Sequence, residues 1–281
     1  MEIYAHLDTG ELFSSDRICD MSTAIAILYS PEGFALAADG RGTTESGIAT
    51  ETAQKIFPIC EDGKKLAYCM AGHIGFISND GRYVFDFRSE TAKSLQETDT
   101  SGAKSLCEYV KLLCEPIEAK LRSVMDGENS SSYPTDAPCP EEPETYVIAR
   151  IFFDGYYRGI PAQATAVFRH ENRTLCKTFV ASDLVLRDVL RGSGSPLISE
   201  KLRGNSGDWL DSYRVKLERP TWPTLAEATE LVKGYVDACC DPRALELDKE
   251  RCAFIGGHIH AATITKSEGF RWVIEPVNNC K

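Results

Sequence analysis

The sequence has no run approaching the roughly 18 consecutive apolar residues that a membrane-spanning helix needs, which excludes an integral membrane protein of that kind and leaves no membrane partner expected. It also has no excess of basic residues. With 31 Lys and Arg against 42 Asp and Glu, the formal charge is −11, and such a chain repels phosphate backbones, so a general nucleic-acid binder is excluded. The first 20 residues, with Glu2, Asp8, Glu11, Asp16 and Asp20, lack the basic start and apolar stretch of a signal or transit peptide, and a cytoplasmic location is the default expectation. The eleven cysteines lack the spacing of a small disulfide scaffold; Cys69, Cys107, Cys114, Cys239 and Cys240 read as reduced, small buried hydrophobes. Gly192-Ser193-Gly194-Ser195-Pro196 has no following lysine and lacks the spacing of a phosphate-binding loop.

What is present is the balance of a soluble globular protein: 281 residues, 43% apolar and 26% charged. Residues 23–29 and 34–39 are apolar or β-branched and flank turn chemistry at 30–33, which predicts a hairpin of buried strands. Residues 55–59 and 66–71 bracket a polar loop and predict a second hairpin. The spacing of Leu106, Val110, Leu113, Ile117 and Leu121 predicts an amphipathic helix over 101–125, with a shorter one between Ile74 and Leu95. Residues 126–145, with prolines at 134, 138, 140 and 143, read as a mobile surface insertion. Strands follow at 146–153, 164–169 and 176–181. A helix over 220–240 is entered through Thr224 as cap with Glu227 three residues on, and a last pair of strands covers 259–265 and 270–274. This order suits an α+β fold with two stacked, mainly antiparallel sheets between helical layers. We expect one domain over residues 22–281, preceded by an N-terminal extension, residues 1–21.

Four pieces stand in order near the start: Ser22-Thr23-Ala24-Ile25-Ala26-Ile27, Ala37-Ala38-Asp39-Gly40-Arg41, Gln54-Lys55-Ile56-Phe57 and Met70-Ala71-Gly72. In type and order these resemble a proteasome β subunit and, more distantly, the bacterial peptidase HslV. The resemblance implies the four-layer αββα sandwich of the N-terminal-nucleophile (Ntn) hydrolases, with a hydroxyl nucleophile on the first residue of the mature chain. That nucleophile is Ser22 or Thr23: Thr23 stands sixteen residues before Asp39, which favours it by count, while Met21 before Ser22 would leave Ser22 first if translation began there.

A serine or threonine hydroxyl is a poor nucleophile at neutral pH and needs a base. A free α-amine, with an ordinary pKa of about 7.7 to 8.0, is such a base. A buried Lys55 ammonium would stabilise charge at the hydroxyl, and Asp39 is the natural partner that keeps it charged. The resemblance further implies that the Gly72 N–H faces the oxyanion, that Met70 lines the substrate pocket, and that Ser193 supports the terminal amine. Thr43 and His73 complete the candidate substrate-binding residues. The resemblance fails before Gly256-Gly257, where Cys252-Ala253-Phe254-Ile255 replace the expected aspartate and serine; Asp248 or Glu250 are the nearest substitutes. His258 and His260 stand two apart without a third metal ligand in register, so no metal and no cofactor is expected.

The implied function is a threonine- or serine-type endopeptidase acting on polypeptides inside a homo-oligomeric ring, with an ATP-dependent unfoldase as a further implied partner. Two alternatives stay open: a catalytically silent scaffold or binding subunit, and a hydrolase of small amides.

Overall fold

The computed structural model describes residues 23–44, 47–61, 63–72, 75–77, 83–125, 145–171, 174–175, 179–183, 190–204, 208–215 and 222–277. The expected extension over 1–21, Ser22, His73 and nearly all of the expected insertion at 126–145 lie outside these residues.

In chain order the strands before the first helix are β1 (Ile25–Ser30), β2 (Gly33–Ala38), β3 (Gly42–Thr44), β4 (Gly47–Thr50), β5 (Ile56–Glu61), β6 (Lys64–Gly72), β7 (Gly75–Ile77) and β8 (Tyr83–Asp86). Helices α1 (Phe87–Glu97) and α2 (Leu106–Met125) follow, then β9 (Thr145–Tyr157), β10 (Ile160–Glu171), β11 (Thr174–Leu175), β12 (Phe179–Asp183) and β13 (Arg191–Ser193). The chain ends with α3 (Pro196–Arg203), a 3-10 turn at Trp209–Tyr213, α4 (Leu225–Cys240), α5 (Ala244–Leu247), α6 (Lys249–Cys252), β14 (His260–Thr265) and β15 (Gly269–Ile274). The expected helix between Ile74 and Leu95 is corrected: its first part pairs as β7 and β8, and α1 starts at Phe87, where Asp86 caps it by accepting from the Arg88 N–H.

One antiparallel sheet has the order β13-β1-β2-β14-β15 and a second the order β11-β10-β9-β6-β5, with β12 also on β10. The mixed α and β content and the antiparallel sheets agree with the sequence reading. β1 and β2 are buried along their whole length, so they alternate in size and not in polarity. Ala24, Ala26, Ala35 and Ala37 face a core shared with Val232 and Val236 of α4, and the small side chains let that helix lie close. Ile25, Ile27, Phe34 and Leu36 point the other way, into a core with Ile56, Cys69 and Phe152 of the second sheet. A third core joins Met70, Ile151 and Phe153 of the second sheet to Val110, Leu113 and Ile117 of α2. Each fully buried Ile or Leu contributes about 1.5–3 kcal/mol, so this apolar surface holds the ends of β1, β2 and β5, which carry the polar residues described next.

Candidate functional site

Where β1 begins and β2 ends, the pairing continues one step past the strands: the Asp39 N–H donates to the Ala24 carbonyl at 3.0 Å, and the Ala24 N–H donates to Asp39 Oδ1 at 2.9 Å. The Asp39 side chain is thereby folded back against the entry to β1. Its other oxygen, Oδ2, accepts from the backbone N–H groups of Arg41 at 3.2 Å and Gly256 at 3.1 Å. Lys55, the residue before β5, sends Nζ to Asp39 Oδ1 at 2.7 Å and to Thr23 Oγ1 at 3.4 Å. Asp39 is wholly buried, and Lys55 and Thr23 are 2% and 7% exposed.

Burial pushes the Asp39 carboxyl above the ordinary carboxylate range, against the pull of the Lys55 ammonium and of the N–H donors from Gly256 and Ala24. Four donors nonetheless satisfy the carboxylate, while the ammonium of Lys55 finds two acceptors, Asp39 Oδ1 and Thr23 Oγ1. Chemically, the arrangement presents a hydroxyl to a cation held in place by an anion.

The backbone of Lys55 is pinned as firmly as its ammonium. Its N–H donates to His260 Nε2 at 3.0 Å, and its carbonyl accepts from the Met70 N–H at 3.3 Å. Nothing in the sequence singled out His260 for this contact; the signal was that it opens a strand with no other titratable residue. His258 lies before β14, and its Nε2 meets the Glu275 carbonyl at 2.8 Å. The two histidines thus have separate partners, and among the described residues no three His, Cys, Asp or Glu gather as a metal site.

The remaining candidates fall at varied distances from this centre. Met70 points its side chain into the core with α2 while its backbone touches Lys55. Gly72 ends β6 opposite Ala149 with φ +101°, and a Cβ there would meet the Ile148 carbonyl at 2.5 Å, so the close strand contact requires glycine. Thr43 sits in the β3–β4 hairpin opposite Ile48. Ser193 lies in β13 opposite Ile25, the first residue of β1, which follows Thr23 by two in the chain.

In the turn that leads into α3, Ser195 engages an acid. Its hydroxyl donates to Asp248 Oδ2 at 2.6 Å and accepts from the Ile198 N–H at 3.2 Å, capping α3 ahead of Pro196. Asp248, one of the two substitutes suggested by sequence, is therefore committed to Ser195. Arg41 completes the surroundings: it pairs with Glu51 at 3.1 Å and donates to the Ile255 carbonyl at 3.0 Å, which holds the turn that delivers Gly256 to Asp39.

No family model and no curated protein matches this chain. Among solved structures, a Gly-1 mutant of Anbu from Hyphomicrobium sp. strain MC1 is similar with a TM-score of 0.49 and 14% identity, covering 92% of this chain and 88% of that one. Anbu (ancestral beta-subunit) from Yersinia bercovieri gives 0.47 and 13%, covering 89% and 86%. These findings correct the family read from the motifs: the likeness is to Anbu, not to a proteasome β subunit or HslV. At such scores it assigns neither a family nor the role of any residue.

Proposed function

We propose that this chain is an amide hydrolase in which Thr23, once it is the first residue, attacks a peptide carbonyl. The observation that supports this reading is the single buried ammonium of Lys55, which reaches both Asp39 Oδ1 and Thr23 Oγ1. Breaking the Ser22–Thr23 bond frees the α-amine of Thr23. That amine takes the hydroxyl proton as Oγ1 bonds to the carbonyl carbon and returns it to the departing amine of the substrate, leaving an ester on Thr23. Water then attacks the ester and releases the acid, restoring the hydroxyl. Lys55 stabilises the oxygen as it loses its proton, Asp39 holds Lys55, and the Gly72 N–H is the proposed oxyanion donor. Ser193, Thr43 and His73 are proposed to border the amine and the substrate, and Met70 to act there only through its backbone contact with Lys55. The three cores accord with a four-layer αββα arrangement over a single domain, residues 22–281.

Polypeptide is the proposed substrate, cut as by a threonine-type endopeptidase. A homo-oligomeric ring that encloses the sites is the proposed assembly, with an ATP-driven unfoldase as its proposed feeder. Cytoplasmic residence is proposed with it; among the described residues no helix is long and apolar enough to cross a membrane. The near-complete burial of Thr23 favours one second reading, a silent scaffold whose hydroxyl never meets substrate.

Intact mass of the purified protein together with treatment by a peptide epoxyketone, which bonds both hydroxyl and amine of a first residue, separates the two. We expect a chain beginning at Thr23 and a single covalent adduct on it. A fully active protein that keeps residues 1–22, or a chain processed to Thr23 that takes no adduct, overturns the hydrolase.

A further inference from the structure

We propose that His260 is the positioning residue for Lys55: its imidazole fixes the backbone from which the ammonium reaches Asp39 and Thr23. This rests on the hydrolase reading for its catalytic consequence, though not for its geometry.

Lys55 lies just outside β5, where no strand partner would fix its N–H. A residue there can pivot, and a pivot of about 1 Å at the backbone is enough to cost a reacting group about a hundredfold in rate. β14 supplies the missing partner. Its first residue, His260, stands opposite Ala38, next to Asp39, so the element that pairs with the acid's strand also reaches the lysine. His260 is 1% exposed, its ring packs edge-on to Trp272 with centroids 6.1 Å apart, and Nε2 accepts from the Lys55 N–H at 3.0 Å.

An accepting Nε2 requires the neutral tautomer with the proton on Nδ1, which is oriented by the backbone of His258. Burial, together with the nearby Lys55 cation, holds the imidazole neutral by bringing it down to about 4. The groups that bear on it are Lys55 just before β5 and His258 just before β14; Trp272 of β15 brings no charge, and Asp39 is taken up by Lys55. Protonation at Nε2 would turn the acceptor into a donor facing another N–H, so the contact works in one protonation state only.

The test compares His260→Gln, which keeps a neutral acceptor near the Nε2 position and cannot titrate, with His260→Leu, which keeps the bulk and offers no acceptor. With a short fluorogenic peptide amide at pH 8, we expect kcat of His260→Leu to fall about a hundredfold with KM within twofold, and His260→Gln to recover to within about fivefold of the parent. Independently of any activity, the Lys55 amide proton resonance in the parent should shift as the His260 ring titrates below pH 5, and in His260→Gln it should hold still. If His260→Leu fails to fold, the glutamine variant and the amide titration decide. An unchanged kcat in His260→Leu, or a His260 ring that titrates near 6.5 without moving the Lys55 amide, overturns the proposal. A parent without activity whose Lys55 amide follows the ring supports the positioning geometry and sinks the hydrolase reading alone.

Discussion

Lys55 and Asp39 are charges placed where water does not reach, and such a pair costs more to break than it contributes when intact. Lys55→Met strands a buried carboxylate, and we expect a loss of about 3–5 kcal/mol in urea denaturation. The double change Asp39→Asn with Lys55→Met should recover at least part of that loss, as coupled neighbours do; additive losses would show that the two side chains do not interact. Both variants should be without hydrolytic activity. His260 contributes its own pH dependence to this region, besides that of Asp39. Its folded value of about 4 lies below the ordinary 6.5, so the unfolded chain takes up the proton first. The stability it gives is therefore complete above pH 6.5 and drains as pH falls toward 4, by about 3 kcal/mol at most. Denaturation midpoints should fall with pH across that window in the parent and not in His260→Gln; midpoints that run parallel in the two proteins would show that another group is responsible. The motifs in order along the chain, through the resemblance they carry, pointed to Asp39 and Lys55 with Ser22 or Thr23 as a group; among the described residues Lys55 Nζ meets Asp39 and Thr23. That the Ser195 hydroxyl meets Asp248 was not legible in the sequence, since only the path of α3 brings the two together.

Elements bring these residues together by fitting closely. Gly192 of β13 sits opposite Ala26 with φ +151°, and a Cβ at that position would lie 1.9 Å from the Ile25 carbonyl. Gly192→Ala must push β13 off β1, and we expect a loss of about 1–3 kcal/mol in denaturation, as for overpacking, with reduced turnover if β13 supports the amine of Thr23. Helix α4 is legible in the sequence down to its first turn. Thr224 Oγ1 accepts from the Glu227 N–H at 3.2 Å and Glu227 accepts from the Thr224 N–H at 2.7 Å, the reciprocal box the spacing implied. Thr224→Ala should cost about 1 kcal/mol by thermal or urea unfolding and leave kcat unchanged. By contrast, β3, β4, β7 and β8 were not foreseen. Runs of three or four residues such as Gly42–Thr44 hold too few side chains to show a period of two, and pairing depends on the partner strand.

Over the whole molecule, the two large sheets are joined by more than apolar contact. Arg191 of β13 pairs with Asp154 of β9, which also accepts from Gln163 at 2.8 Å, so a polar link crosses from one sheet to the other behind β1. At this scale the prediction is assembly: light scattering at micromolar concentration should find a particle several times the 31.0 kDa chain, and a monomer throughout would remove the proposed enclosure. The sequence by itself determined which segments are buried, because burial follows from apolar content, and it determined the helices long enough to display their period, α2 and α4. It also placed an acid and a lysine at strand ends. Only the tertiary structure decided that Asp39 folds back onto the Ala24 N–H, that Gly256 arrives from more than two hundred residues away to share the carboxylate, and that His260 grips the backbone of Lys55. Those contacts depend on directions in space, and a hydrogen bond between strands distant in the chain leaves no spacing by which it could be read.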